Sequence, residues 1–81
     1  MAQNLMGTET VLIDKTTDPN YIYIGSASVY KNQEVPTSSR NWRITRITIV
    51  DGSATEIKNA HADDKETQYF IWDNRTTYNY I

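Results

Sequence analysis

One stretch decides the fold of this chain: Asn41-Trp42-Arg43-Ile44-Thr45-Arg46-Ile47-Thr48-Ile49-Val50, followed at once by Asp51-Gly52. β-Branched and aromatic residues fit a pleated strand and lose rotamer freedom in a helix, so this composition predicts a long strand. Asp-Gly between two β-type segments indicates a tight hairpin, because both central residues of a type I′ turn need positive φ. The segment from Ser53 to Asn59 is therefore expected to return antiparallel, with Ile57 facing inward.

The alternation of side chains within this strand leaves two arrangements open. Trp42 and Ile44 share one parity, whereas Ile47 and Ile49 share the other. Because successive side chains point to opposite faces, a regular strand cannot direct all four residues to one side. Either a β-bulge near residues 45–46 restores the register, or the strand is buried on both faces.

Further short strands are expected on both sides of this hairpin. The segments predicted to be extended are 10–14, 21–24 continuing to residue 30 beyond a bend or bulge at Gly25, 67–73 and 76–81. No segment shows helical spacing of apolar residues over three turns, so no long helix is expected. The prediction is an all-β fold, a small antiparallel sandwich or partly open barrel of about six strands over residues 10–81. A flexible tail over residues 1–9 precedes it.

Length, charge and cysteine usage limit the classes of function. A chain of 81 residues suffices for one domain with a thin core, and it has no cysteine with which to add a disulfide. Small domains of this kind often gain stability by packing against copies of themselves, which favours a homo-oligomer. The net charge is -2 and the only dense basic group is Arg40, Arg43 and Arg46, so nucleic-acid binding is not expected.

The sequence also predicts no membrane insertion, cofactor or catalysis. No apolar run approaches the ~20 residues that span a bilayer, and the N-terminus lacks the features of a secretory signal. The protein is therefore expected to be made and kept in a cytosol, or to leave it by a route that needs no signal. The lone histidine, His61, is expected in an acidic loop with Asp63, Asp64 and Glu66. These residues have neither the spacing of a metal site nor a nucleophile–base set. We therefore expect a protein that is not an enzyme.

Aromatic residues are the strongest indication of how the chain acts. It has six tyrosines and two tryptophans, and such side chains suit binding surfaces because they offer large area with few rotatable bonds. Trp42 is expected in the core. Arg43 and Arg46 are expected to be solvated or to pair with carboxylates such as Asp73. The predicted interface consists of Tyr23, Tyr30, Arg43, Tyr78 and Tyr80.

Three segments occur in an order that resembles a known group of proteins. They are Tyr21-Ile22-Tyr23-Ile24-Gly25, then Trp42-Arg43-Ile44-Thr45-Arg46-Ile47, then Trp72-Asp73-Asn74-Arg75 followed by Tyr78. This order resembles small structural proteins of tailed bacteriophages, which carry a Tyr-Ile-Gly strand, a Trp-x-Ile strand and a closing Trp-Asp-x-Arg segment. The resemblance covers residues 19–81. The chain departs from the pattern at residues 26–41, which are longer and more polar, and at the acidic segment 59–66.

The resemblance implies a non-catalytic virion protein, either a capsid decoration protein or a tail or fibre-attachment component. Its partners would be other virion proteins and copies of itself, and it would be assembled in the cytoplasm of a bacterial host. The alternative is a carbohydrate-binding module for host attachment, in which tyrosine or tryptophan rings stack on sugars. An enzyme is the third and least favoured hypothesis.

Overall fold

In a computed structural model the protein forms an open antiparallel sheet. The structure describes residues 9–29, 34–62 and 67–81. Within these residues the elements are β1 (Glu9–Asp14), β2 (Tyr21–Ser28), β3 (Arg40–Val50), β4 (Ser53–His61), β5 (Phe70–Ile71), a 3-10 helix (Trp72–Thr77) and β6 (Asn79–Tyr80). The predicted all-β class with about six antiparallel strands is confirmed. The sheet does not close into a barrel, and the molecule measures 43 × 31 × 17 Å.

The strands follow one another as a meander in the order β1-β2-β3-β4-β6, while β5 pairs with the N-terminal end of β3. The hairpin between β3 and β4 turns at Asp51 and Gly52, whose φ angles of 52° and 82° are both positive. This confirms the hairpin that the Asp-Gly pair predicts. Short connections between neighbouring strands therefore produce most of the sheet.

One face of the sheet is covered by the C-terminal segment, residues 70–81. The buried core consists of Tyr23, Ala27, Trp42, Ile44, Phe70, Trp72 and Tyr80. Trp42 is fully buried, as predicted, and its indole Nε1 donates a hydrogen bond of 3.0 Å to the Pro36 carbonyl. Val35 packs against the same cluster. The core thus lies between one sheet face and two irregular segments.

The C-terminal segment is attached to the sheet at three places. β5 pairs with β3, and β6 pairs with β4 through Ala60 and His61. Beyond β6, Ile81 and Asn59 exchange two backbone hydrogen bonds of 3.1 Å. The third attachment joins the Arg75 side chain to Asp14 at the end of β1. These attachments span the sheet from its first strand to its last, so the covering layer is held across its full width.

Several sequence-based predictions about the strands are wrong in detail. β3 and β2 pair without a register shift, so no bulge lies near residues 45–46; the irregularities fall between Thr48 and Ile49 and at the β5 pairing. Trp42 and Ile44 therefore face the core, while Ile47 faces the opposite side. Ile57 pairs with Ile47 and is 71% exposed, so it does not face inward.

The predicted strands at 67–73 and 76–81 are largely replaced by the 3-10 helix. Only Phe70–Ile71 and Asn79–Tyr80 are extended and paired. His61 belongs to β4 and pairs with Asn79, so it does not lie in a loop. The irregular conformation follows from packing, because the segment must turn its Trp72 ring back onto the sheet.

Gly25 makes the approach of Trp72 feasible. It pairs regularly with Leu12 and Ile44, so it neither bends nor bulges the strand as the sequence had suggested. A Cβ atom at this position would lie 2.5 Å from Trp72 Cε3 and 3.3 Å from Trp42 Cε3. The missing side chain therefore leaves the space that the Trp72 ring fills.

Candidate binding interface

The sheet face opposite the core carries rows of directly paired apolar side chains. In one row Ile22 pairs with Ile47, and Ile47 pairs with Ile57; in the next, Ile13 pairs with Ile24. Directly opposite residues in antiparallel strands share a face. We call the surface formed by these five isoleucines and the neighbouring Val11 the isoleucine face. It runs across β1, β2, β3 and β4.

The isoleucine face is open to solvent. Val11, Ile13 and Ile57 are 53%, 58% and 71% exposed, and the remaining three residues are half-buried. Most backbone groups beneath them are paired along the ladders, so the surface that remains to interact is side-chain surface. Scattered apolar residues on a protein surface are ordinary, but contiguous rows over four strands are typical of an interaction site.

A polar region borders the isoleucine face toward the end of the sheet where β5 pairs with β3. Here Ser26 pairs with Arg43, and the Arg43 guanidinium carbon lies 5.5 Å from the centre of the Tyr69 ring. Glu9 and Arg43 line one cavity of about 220 Å³. Arg43 also lines a larger cavity of about 500 Å³, whose lining joins Ile24 and Asn59 of the sheet to Thr67 and Gln68. The face therefore combines an apolar area with a polar border, as protein interfaces commonly do.

Asp14 fixes the position of β1 relative to the covering segment. Its Oδ1 accepts hydrogen bonds from the backbone N–H groups of Thr16 and Thr17 at 3.0 and 3.1 Å, and its Oδ2 accepts from Arg75 Nε at 2.9 Å. These contacts hold the pKa of Asp14 well below its ordinary value. The Thr17 hydroxyl lowers it most, followed by the Thr16 N–H and then by the remaining donors, which include Arg75. The Arg75 guanidinium in turn stacks 4.6 Å from the Trp72 ring centre.

Arg46 occupies an aromatic cage on the covered face. Its guanidinium carbon lies 4.3 Å from the Tyr21 ring centre and 4.7 Å from that of Tyr80. None of the described residues accepts a hydrogen bond from its buried Nε atom. The ring faces attract the cation electrostatically, which offsets part of the cost of desolvating it. Arg46 is thus half-buried against two tyrosine rings, rather than an outward solvated residue or the partner of Asp73 that the sequence led us to expect.

The tyrosines predicted to contact a partner occupy different environments. Tyr23 and Tyr80 are 4% and 7% exposed, with ring centres 5.9 Å apart, and burial raises the pKa of each hydroxyl. The Tyr80 hydroxyl donates a hydrogen bond of 2.6 Å to the Arg75 carbonyl. Tyr78 is half-buried, and its hydroxyl accepts from the Ile71 N–H at 2.9 Å. These three side chains hold the covering segment in place.

The other two predicted interface residues fall elsewhere. Arg43 is exposed on the same side as the isoleucine face, away from the buried tyrosines, and Tyr30 lies outside the described residues. Sequence reasoning missed the isoleucine face, although the alternation Tyr21-Ile22-Tyr23-Ile24 separates tyrosines from isoleucines onto two sides. The missing information was which of the two sides the C-terminal segment covers.

The described residues include no group of three or more His, Cys, Asp or Glu side chains that could hold a metal ion. Within the same ranges, no helix has the length and apolar character needed to cross a membrane. Asp63, Asp64 and Glu66, which the sequence places near His61, lie outside the described residues. Comparisons with protein-family models, with curated proteins and with solved structures find no match for this chain.

Proposed function

We propose that this chain is a non-catalytic structural protein of a virion and that it assembles with other proteins through the isoleucine face. One observation carries the proposal: contiguous apolar side chains run across β1, β2, β3 and β4 on one side of the sheet, whereas the C-terminal segment covers the other side. Burying apolar area stabilises association by about 25 cal/mol per Å² removed from water. A partner that covers this face gains such burial without any rearrangement of the sheet.

The polar groups of the domain also favour a binding role. Asp14, Arg75, Arg46 and Tyr80 make contacts that hold the covering segment on the sheet. The larger cavity, of about 500 Å³, is lined by serine, threonine, asparagine, glutamine and apolar residues together with Arg43. Acid–base chemistry needs titratable groups that converge on one reacting atom, and this lining offers a single cation.

The assignment to a virion rests on the ordered Tyr-Ile-Gly, Trp-x-Ile and Trp-Asp-x-Arg segments. These segments hold four of the seven buried core residues, Tyr23, Trp42, Ile44 and Trp72, and also Gly25, which leaves space for the Trp72 ring. A virion protein is present in many copies beside other assembly proteins, so a sheet with one uncovered face has partners close at hand. Both capsid decoration and tail or fibre attachment are compatible with such a surface.

Carbohydrate binding has less support from the placement of the rings. Stacking on a sugar needs an exposed ring face, and both Trp42 and Trp72 lie in the core. Among the described tyrosines, Tyr69 is the one with a large exposed fraction, 46%, and Arg43 lies over its ring. We therefore do not propose a glycan platform.

The proposal is tested by asking whether the chain is part of purified particles. The gene is deleted from the phage that encodes it and supplied in trans as wild type, as Ile24→Asp or as Val50→Asp. Particles are purified by density gradient and the chain is quantified by mass spectrometry against the major particle protein. We expect wild type and Val50→Asp at a constant ratio, and at least about tenfold less of Ile24→Asp, a loss of about 1.4 kcal/mol in binding.

Val50 is a suitable control because it is 52% exposed and belongs to the parity of β3 that faces away from the isoleucine face. Each variant is first shown to fold, by circular dichroism and a cooperative unfolding curve. Wild-type chain that is absent from purified particles would overturn the virion proposal. Full incorporation of folded Ile24→Asp would show that another surface makes the contact.

A further inference from the structure

We propose that the free edge of β1 pairs with the β1 edge of a second copy of this chain, so that two sheets join into one. The pairing is antiparallel about a two-fold axis at Leu12, and it places Glu9 of each copy opposite Lys15 of the other. The isoleucine faces of both copies then lie on the same side of the joined sheet. This pairing goes beyond the proposed function, because it concerns the edge of the sheet and not the isoleucine face.

β1 has one edge without a strand beside it. Among the described residues β2 is the neighbour of β1, and Glu9–Asp14 pair with it in an uninterrupted register. Backbone N–H and C=O groups along the other edge form a template for a further strand. Soluble proteins usually protect such an edge with a proline, a bulge or a charge in its middle, whereas the residues from Thr10 to Ile13 are uncharged and include no proline. This edge is therefore suited to accept a strand.

The opposite edge of the sheet is less suited to pairing. β4 pairs with β6, and Asn59 exchanges two backbone hydrogen bonds with Ile81. The preceding residues 53–58 contain the charged side chains of Glu56 and Lys58, which lie 3.7 Å apart. The ladder between β3 and β4 is also irregular along this part. Charges within a strand and an irregular ladder both oppose edge pairing, so β1 is the edge that favours it.

β1 and the residue that follows it are self-complementary in one register. With Leu12 on the two-fold axis, Val11 lies opposite Ile13 of the other copy. In the same register Glu9 lies opposite Lys15. Residues of the same parity then oppose each other, so the outward N–H and C=O groups of one strand meet those of the other. Apolar pairs occupy the centre and an opposite-charge pair lies at each end, and both kinds of pair stabilise an antiparallel ladder.

Neighbouring registers lose this match. With the axis at Val11, Glu9 lies opposite Ile13. With the axis at Ile13, Lys15 lies opposite Val11. Each shift replaces two opposite-charge pairs by contacts between a charged and an apolar side chain. The end charges therefore select one register, as charge complementarity commonly does at an interface.

The charges at both ends are available for this pairing. Asp14 forms an ion pair with Arg75 at 2.9 Å, which leaves Lys15 as the exposed charge beside it. Glu9 is exposed at the other end and shares a cavity with Arg43. Within the described ranges, neither Glu9 nor Lys15 takes part in an ion pair. Bringing the two charges together therefore breaks no existing contact of this kind.

Space for a second strand exists beside the end of β1. A cavity of about 490 Å³ is lined by residues 12–17 together with Trp72 and Arg75. Its described lining includes no residue of β2, so the cavity lies at the free edge of β1. The first residues of the second copy's β1 would lie here, and the covering segment does not fill this space.

The test exchanges the end charges in folded full-length variants and follows self-association by sedimentation velocity at low ionic strength. We expect a dimer for wild type. Dimerisation should be at least about tenfold weaker for Glu9→Lys and for Lys15→Glu, because each change sets like charges opposite each other at both ends. The variant with both changes should dimerise like wild type. An equimolar mixture of the two single variants should form a mixed dimer, in which every end again joins opposite charges.

Glu56→Lys is the matched control, since it makes the same change at an exposed position of β4. It should leave dimerisation unchanged. Equal weakening by Glu56→Lys would overturn the pairing of β1, because the effect would then follow net charge. Failure of the double variant or of the mixture to dimerise would also overturn it, and so would a wild-type chain that remains monomeric at about 1 mM, where even a weak dimer is populated.

These outcomes are independent of the proposed function. A monomeric chain that is still present in purified particles would overturn the β1 pairing and leave the virion proposal intact. A dimer with the expected charge dependence that is absent from particles would support the β1 pairing and overturn the virion proposal.

Discussion

The two faces of this sheet are built from the same strands but have opposite relations to the rest of the chain. On the covered face, Tyr23 and Trp42 pack in one core with Trp72, which belongs to the covering segment attached to β1, β3 and β4. On the other face, Ile13 and Ile57 occupy comparable positions and remain more than half exposed. Apolar character alone therefore does not make a core. The covered side has large rings and anchored segments, whereas the open side has uniform aliphatic rows.

The largest difference that we predict between the two faces is the loss in the free energy of unfolding when an apolar side chain is truncated. Trp42→Ala removes a fully buried ring and its hydrogen bond to Pro36, so we expect a loss of about 3–5 kcal/mol in the free energy of unfolding. Ile57→Ala should change it by less than about 0.5 kcal/mol in the monomer. Urea denaturation at low protein concentration measures both. Similar losses for the two variants would contradict the division into a covered and an open face.

The second difference concerns space beside the β2 backbone. Gly25→Ala places a methyl group 2.5 Å from Trp72 Cε3, and Trp42 closes the other direction. Since neither buried ring can move freely, we expect a loss of about 1–3 kcal/mol. Ser26→Ala, the adjacent position on the open face, should be neutral to within about 0.5 kcal/mol. A stabilising Gly25→Ala would show that strand propensity outweighs the contact with Trp72.

Much of this architecture could be predicted from local sequence. The Asp51-Gly52 turn and the composition of residues 41–50 are sufficient to define the central hairpin. The side that the chain covers was not predictable in the same way, because it depends on contacts distant in sequence, such as Arg75 with Asp14. Aromatic density in residues 69–80 favoured strands, yet the rings serve to cover the sheet, and a 3-10 helix directs them there. The interface was consequently assigned to tyrosines that this packing buries.

A third prediction concerns the attachment of the covering segment to β1. Asp14→Asn weakens the bond to Arg75 and the two backbone hydrogen bonds, which should cost about 2 kcal/mol near pH 7. Because the folded pKa of Asp14 lies below its ordinary value of 3.8, its carboxylate contributes to the free energy of unfolding above that pH. This contribution is lost as the pH falls through the folded pKa. Wild type should therefore lose more stability than Asp14→Asn between about pH 5 and pH 2.

The control for this pH series is Glu9→Gln, at the exposed beginning of the same strand on the open face. Its stability profile should follow that of wild type when unfolding is monitored by tryptophan fluorescence at each pH. If Asp14→Asn and wild type lose stability in parallel below pH 5, the Asp14 carboxylate does not hold the covering segment as described.

The smallest expected difference is between two tyrosine hydroxyls. Tyr80→Phe keeps the buried ring beside Tyr23 and Arg46 but removes the donor to the Arg75 carbonyl, which then lacks that hydrogen bond. We expect a loss of about 1 kcal/mol, the usual net value of one such bond. Tyr69→Phe, on the exposed ring beneath Arg43, should change stability by less than about 0.5 kcal/mol. Thermal unfolding measures both losses. A larger loss for Tyr69→Phe would mean that the Tyr69 hydroxyl on the open face stabilises the fold more than the Tyr80 hydroxyl of the covering segment, which would contradict the comparison of the two faces.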